Sequence, residues 1–322
     1  MKLVLTGPRQ LEVRRDVPQE EVPAGEVRMR VLYCAVCRTD AKMWGQGHRD
    51  LVLPRVPGHE MVVADDKGSL FAVWPGNSCG RCGHCRAGRE SRCESIRILG
   101  FHRDGGFADQ VIVPRTCLLL LPETMDPLTA CFAEPVGCVL HALGASGIDQ
   151  SERVLIFGGG TMGLLTALAV KAGGGSPVIL EKNPGKINRA RPFLDEAGLD
   201  CVPDIGEGGF EAVITACADP AAFGRGLEKL VKGGRFCFFS GLVRDQVLTS
   251  DLLNLVHYKE ITLSGAYGLN KLDMEDALGF LDTQQAVVSG LVEEVVVPGR
   301  TPDLMAGILS GEKFKYIIDF RE

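Results

Sequence analysis

The chain has no surplus of positive charge. It carries 35 Lys and Arg against 41 Asp and Glu, a formal net charge of −6. That balance gives no electrostatic footprint for nucleic acid or for an anionic membrane surface. Long apolar runs are missing too: nothing approaches the roughly 20 residues that cross a bilayer. The opening MKLVLTGPRQLEVRRDV holds too short an apolar stretch for a signal peptide. Repeats and low-complexity tracts are absent. These absences lead to the expectation of a globular, cytosolic protein with no nucleic-acid or membrane partner. The chain does have an apolar fraction of 45%, ordinary for a sizeable core, and 322 residues, which suit two domains or one large one. It also has twelve cysteines. In a reducing compartment these are thiols or metal ligands rather than disulfides.

The stretch Arg153 to Gly163, RVLIFGGGTMG, organises the rest. Val154 to Phe157 is a short apolar run that reads as a buried strand. Gly158, Gly160 and Gly163 then spell G-x-G-x-x-G, and the apolar run from Leu164 is helix-competent. In a dinucleotide fold the first glycine permits the tight turn. The second lets a pyrophosphate approach the backbone, and the third lets helix pack on strand. Thr161 and Met162 would then open the helix whose N-terminus receives the phosphates. Pro177 to Leu180 reads as a second strand ending at Glu181, the separation expected of a carboxylate that bonds the adenosine ribose. Strand and helix segments alternate from there to about Tyr267, which indicates a doubly wound parallel sheet. In it, Lys186–Glu196 reads as a helix interrupted by Pro192. Glu181 would repel a 2′-phosphate, which favours NAD, while Lys182 and Arg189 keep NADP open.

The first third reads as β-rich. Leu3–Leu5, Leu11–Arg15, Glu26–Cys34, Met61–Ala64, Phe107–Val113 and Cys117–Leu121 are strand-like pieces between Pro and Gly. Cys37 follows one strand, and His59 and Glu60 follow two prolines. All three are acceptable zinc ligands, although a buried thiol and a satisfied core histidine would explain the first two equally well. Cys79, Cys82, Cys85 and Cys93 are more specific. Their C-x2-C-x2-C-x7-C spacing suits a closed tetrahedral zinc site, with Arg81, Arg86, Arg89 and Arg92 adding positive charge near the thiolates. The spacing does not match the bacterial ferredoxin run.

At this point the chain resembles the zinc-containing medium-chain dehydrogenase/reductase family, that of alcohol, sorbitol and threonine dehydrogenases, over nearly its whole length. The resemblance implies a GroES-like β-barrel catalytic domain, residues 1–137 and 269–322, and a Rossmann domain, residues 138–268. It implies two zinc ions, one catalytic and one structural. Cys37 and His59 would bind the catalytic ion, with Glu60 as an adjacent exchangeable ligand. Asp40 matches the carboxylate that bonds the metal-bound histidine, and Arg38 a contact to the cofactor pyrophosphate. Thr39 matches the hydroxyl that takes the substrate proton. The segment Ala133-Glu134-Pro135 holds the Glu-Pro pair of the polyol and sugar dehydrogenases, so Glu134 is the remaining ligand candidate. Leu128–Leu143 reads as one helix.

The implied activity is hydride transfer between NAD(H) and a secondary alcohol or ketone, on a polyol, sugar, cyclitol or hydroxy amino acid. A homodimer or homotetramer is implied as well. A zinc-free enone or quinone reductase would lack the Cys37/His59 pair and the cysteine lobe. A noncatalytic relative would have lost catalytic groups that are present here. Two departures stand out: Lys42 occupies the position where a relay histidine is common, and a short segment between Glu60 and Cys79 predicts a trimmed barrel hairpin. Met43, Trp44, His48, Phe101 and His102 are candidate pocket residues that packing would explain as well.

Overall fold

Glu26–Val36 alternates polar and apolar residues at its start and becomes wholly buried toward its end. Such a strand can take partners along its whole length, and it becomes the hub of a seven-stranded sheet. In the computed structural model, which describes residues 1–15, 18, 20–148, 151–242, 245, 247–311 and 313–321, the sheet runs Val292–Val296, Lys315–Asp319, Glu26–Val36, Glu60–Ala64, Leu70–Val73, Leu118–Leu120. Gln110–Pro114 also pairs with the hub. All pairings are antiparallel except Val292–Val296 with Lys315–Asp319. The segment after Glu60 forms an antiparallel hairpin, with Val62, Val63 and Ala64 facing Ala72, Phe71 and Leu70. Leu3, Leu5, Met29, Met61, Leu99 and Phe107 are among the fully buried side chains of this unit.

The chain divides into two compact units, Met1–Gly137 with Leu269–Glu322, and Cys138–Gly268. The second contains a six-stranded parallel sheet. Its order is Asp200–Val202, Ser176–Leu180, Arg153–Phe157, Phe210–Thr215, Leu230–Phe238, Thr262–Gly265. Counted from the first strand, this is the 3-2-1-4-5-6 order of a Rossmann fold. Its core gathers Leu155, Phe157, Val213, Leu227 and Phe236. The rings of Phe223, Phe236 and Phe238 lie 5.0–5.2 Å apart, centroid to centroid. That is the range in which aromatic pairs add to simple burial.

Several element expectations need correction. Leu128–Leu143 is two helices, Pro127–Ala130 and Ala133–Ala145. Cys131 and Phe132 bond back only three residues, which tightens the chain between them. Pro192 does not interrupt its helix, which runs Pro184–Ala197. An interior proline costs about 3 kcal/mol. The buried face of Ile187, Ala190, Phe193, Leu194 and Ala197 outweighs that, at roughly 1.5–3 kcal/mol per large side chain. The helix read at Asp273–Thr283 extends over Lys271–Ser289, started by reciprocal bonds between Asn270 and Asp273. Helices Arg38–Gln46, Ser250–Tyr258 and Thr301–Ser310 were not expected from periodicity.

Candidate metal centres and nucleotide turn

Cys37 follows the last residue of the hub strand and caps the helix Arg38–Gln46. Its thiol accepts from the Thr39 N–H at 3.4 Å, while its own N–H donates to Asp40 Oδ2 at 2.9 Å. This reciprocal cap fixes Asp40, which is fully buried. The other Asp40 oxygen accepts from the Gly58 N–H at 3.3 Å and lies 3.4 Å from His59 Nδ1. The His59 contact is ionic rather than a well-aligned hydrogen bond, so Nδ1 is a buried nitrogen without a hydrogen-bond partner. Burial lowers the His59 pKa. The Asp40 carboxylate, followed by the Cys37 thiol, more than reverses this and leaves the pKa well above the ordinary value.

One donor atom each from Cys37, His59 and Glu60 lies within a mutual 4.8 Å. Nitrogen, sulfur and oxygen donors converging on a buried, partly unsatisfied spot fit a zinc ion. Glu134 stands in the first turn of Ala133–Ala145, outside that tight grouping. Thr39 is half-buried, and Arg38 is exposed with its Nε 3.3 Å from the Leu309 carbonyl. Lys42 is half-buried, and burial together with the charge of Arg38 lowers its pKa.

Sequence reasoning missed Lys315. It opens the strand Lys315–Asp319 and is only 4% exposed. Its Nζ donates to both oxygens of Glu60, at 2.8 and 2.7 Å, and Glu60 is 1% exposed. Burial opposes charge on Lys315, but Glu60 and then Cys37 raise its pKa beyond the usual lysine range. A lysine starting the apolar strand KYIID was the available signal. Among the pocket candidates, the Phe101 ring lies 5.2 Å from that of His59 and 5.3 Å from that of His48. Met43 is core, and His102 Nδ1 accepts from the Ile98 N–H.

The second cluster is local in sequence. Cys79, Cys82, Cys85 and Cys93 bring their sulfurs within a mutual 4.8 Å. Cys82 caps the turn Gly83–Arg86 and accepts from the Cys85 N–H. The backbone N–H groups of Arg81 and Cys82 pull Cys79 down to about 6, while burial pushes Cys93 up to about 11. Four sulfurs in one tight lobe fit a closed zinc site, whose cation would favour all four thiolates together.

In the second unit, the strand Arg153–Phe157 leads into the glycine turn. Gly158 has φ +111°, and a Cβ there would meet the Ala216 carbonyl at 3.0 Å. A Cβ on Gly163 would fall 1.8 Å from the Gly158 carbonyl, so helix Thr161–Ala172 reaches the turn only because that residue is glycine. At Gly160 a Cβ would meet nothing within 4 Å. That open space faces a helix N-terminus with no side-chain cap, where Thr161 and Met162 begin the helix. Such an end suits a phosphate. Glu181 accepts from the Gly159 N–H at 3.0 Å and from the Asn183 N–H at 2.9 Å. Lys182 pairs with Asp219 at 3.0 Å.

Residues 23–123 match the Alcohol dehydrogenase GroES-like domain. L-galactonate-5-dehydrogenase of Escherichia coli strain K12 is 30% identical over 270 residues, 77% of this chain and 78% of that protein. D-altritol 5-dehydrogenase of Agrobacterium fabrum is 29% identical over 303 residues, 87% and 88% of the two chains. The crystal structure of an alcohol dehydrogenase from Thermotoga maritima superposes with a TM-score of 0.88 at 19% identity, over 99% of this chain and 98% of that one. With the cysteine lobe, the glycine turn and the Cys37/His59 pair in place, the chain belongs to the zinc-type medium-chain dehydrogenase/reductase family.

Proposed function

We propose that this protein is a zinc-dependent dehydrogenase passing hydride between NAD(H) and a secondary alcohol or ketone on a polyhydroxylated, open-chain substrate. The convergence of Cys37, His59 and Glu60, with His59 set by the buried Asp40, carries the reading. A zinc ion held by Cys37 and His59, with Glu134 as the remaining protein ligand, supplies Lewis-acid chemistry that lowers the pKa of an alcohol. A bound nicotinamide supplies the hydride acceptor. Asp40 fixes the His59 ring and strengthens it as a donor. Thr39, two residues after Cys37, takes the substrate proton. Arg38 contacts the cofactor pyrophosphate. Gly158, Gly160, Gly163, Thr161 and Met162 hold the dinucleotide, and Glu181 favours NAD by repelling a 2′-phosphate. The four cysteines hold a structural zinc. The Glu-Pro pair tilts toward polyols, sugars, cyclitols or hydroxy amino acids over simple alcohols, and two relatives named for L-galactonate and D-altritol support an open-chain member of that class.

Self-association through the edge strand Thr262–Gly265 belongs to the same proposal. That edge is exposed, with Leu263 42% accessible and Tyr258 of the neighbouring helix 71%. An open edge beside apolar side chains invites pairing with a second copy. No helix among the described residues is long and apolar enough to cross a membrane. Twelve free thiols support a reducing, cytoplasmic setting. Metal analysis, NADH titration and a screen of polyols and sugar acids with NAD test the reading together. About two zinc ions per chain, NADH binding and turnover of a polyol are expected. Zinc and NADH binding without turnover of any alcohol would refute it.

A further inference from the structure

Two cations, Arg38 and Lys42, stand four residues apart on the helix Arg38–Gln46. Like charges at this spacing repel each other. Among the described residues neither is paired with a carboxylate: Arg38 donates to the Leu309 carbonyl, and the charges that bear on Lys42 are Arg38 and the Cys37 thiol. The acid of the same helix, Asp40, is buried and engaged with Gly58 and His59. Lys42 is half-buried, so its ammonium group has lost hydration without gaining a carboxylate in return. Such a group is unfavourable until an anion meets it. We propose that Lys42 is a specificity-determining residue that receives an oxyanion group, carboxylate or phosphate, carried by the substrate itself. Polyhydroxy acids or polyol phosphates are then preferred over neutral polyols. This rests on the reading of the protein as a dehydrogenase with its metal at Cys37 and His59.

The helix sets where that anion would lie. Lys42 follows Thr39 by three residues, so the two share a helix face one turn apart. The ammonium group therefore neighbours the hydroxyl assigned to the substrate proton. Lys42 is also close enough to His48 to act on its charge. His48 Nδ1 accepts from the Asp50 N–H at 3.2 Å, so the neutral ring carries its proton on Nε2 and offers a donor. Burial favours that neutral form. Asp50, the acid beside His48, is engaged by Arg49 at 3.3 Å. The Phe101 ring lies against both His48 and His59, which ties this group to the metal donors. Three ammonium donors on a flexible stem suit a planar carboxylate or a tetrahedral phosphate alike. His48 is left for a substrate hydroxyl.

Turnover with NAD of hexonates, hexitol 1-phosphates and hexitols, matched in configuration, tests this in zinc-loaded wild type, Lys42→Met and Lys42→Arg. The wild type should favour one charged series over the hexitols by about 10- to 100-fold in kcat/KM, the worth of a hydrogen bond to a charged group. The favoured series tells carboxylate from phosphate. Lys42→Met keeps the apolar stem and should lose most of that preference, chiefly through KM; Lys42→Arg should keep part of it. A second readout needs no turnover. Removing a half-buried cation that has no carboxylate should not lower the urea midpoint, whereas removing a structural lysine would. The same preference in wild type and Lys42→Met overturns the proposal and leaves Lys42 to the cofactor or the proton path. A wild type that favours hexitols, or a lowered midpoint in Lys42→Met, overturns it as well. No turnover in any of the three series would instead overturn the dehydrogenase reading, and the role of Lys42 with it.

Discussion

Gly160→Ala separates folding from nucleotide binding. Gly160 has φ −86° and ψ −179°, extended backbone that alanine adopts freely. A Cβ there would meet nothing within 4 Å. At such a site Gly→Ala usually stabilises by about 0.4–1 kcal/mol, because the unfolded chain loses freedom. The new methyl group would occupy the space a pyrophosphate needs above the helix N-terminus. A loss of only about 1.4 kcal/mol there weakens binding tenfold. Gly163→Ala is the contrasting case. Its Cβ would lie 1.8 Å from the Gly158 carbonyl, so helix and strand must separate, at a cost of roughly 1–3 kcal/mol or more. Urea unfolding and NADH fluorescence titration on both variants read the two effects. Gly160→Ala should unfold no earlier than wild type and bind NADH at least about tenfold more weakly. Gly163→Ala should lose both stability and binding. Wild-type NADH affinity in Gly160→Ala would refute the assignment of this turn.

Asp40→Asn should weaken metal binding about 10- to 100-fold, since it removes the charge beside His59; metal competition against a chelator measures it. The same variant changes the pH dependence of the metal-free protein. The His59 pKa is raised on folding, so its contribution to stability is complete below the unfolded value of about 6.5 and is lost as pH rises through the folded value. Urea midpoints against pH should show this decline in wild type and a flatter profile in Asp40→Asn. Cys82→Ser should lower zinc from about two ions per chain to about one, by metal analysis, with Cys37-dependent Co2+ binding retained. Thr39→Ala should reduce alcohol oxidation by about 10²-fold or more and leave zinc content unchanged; equal turnover would remove Thr39 from the proton path.

Features made of near neighbours were legible in the sequence. The glycine turn joins one strand to the next helix, and the four cysteines lie within a single lobe. In both cases the short chain between the groups restricts where they can go. The polar-apolar alternation that opens Glu26–Val36 marked a strand, because side-chain direction alternates residue by residue. The helix Thr301–Ser310 escaped notice because local pattern alone does not separate a short apolar run into helix or strand. Pro192 misled for a related reason: its local penalty is visible in the sequence, while the buried face that overrides it is not. The ion pair of Lys315 with Glu60 shows where sequence reading stops. Nothing near either residue specifies the other. Only the register of three adjacent strands brings an ammonium group to that carboxylate, and only burial makes the contact consequential, since water no longer screens the charges. The sequence by itself therefore determined which donors the chain carries and the order of its elements, through short-range chain connectivity. The tertiary structure decided which donors share a site and which cation sits beside them, because long-range pairing and exclusion of water exist only in the folded chain.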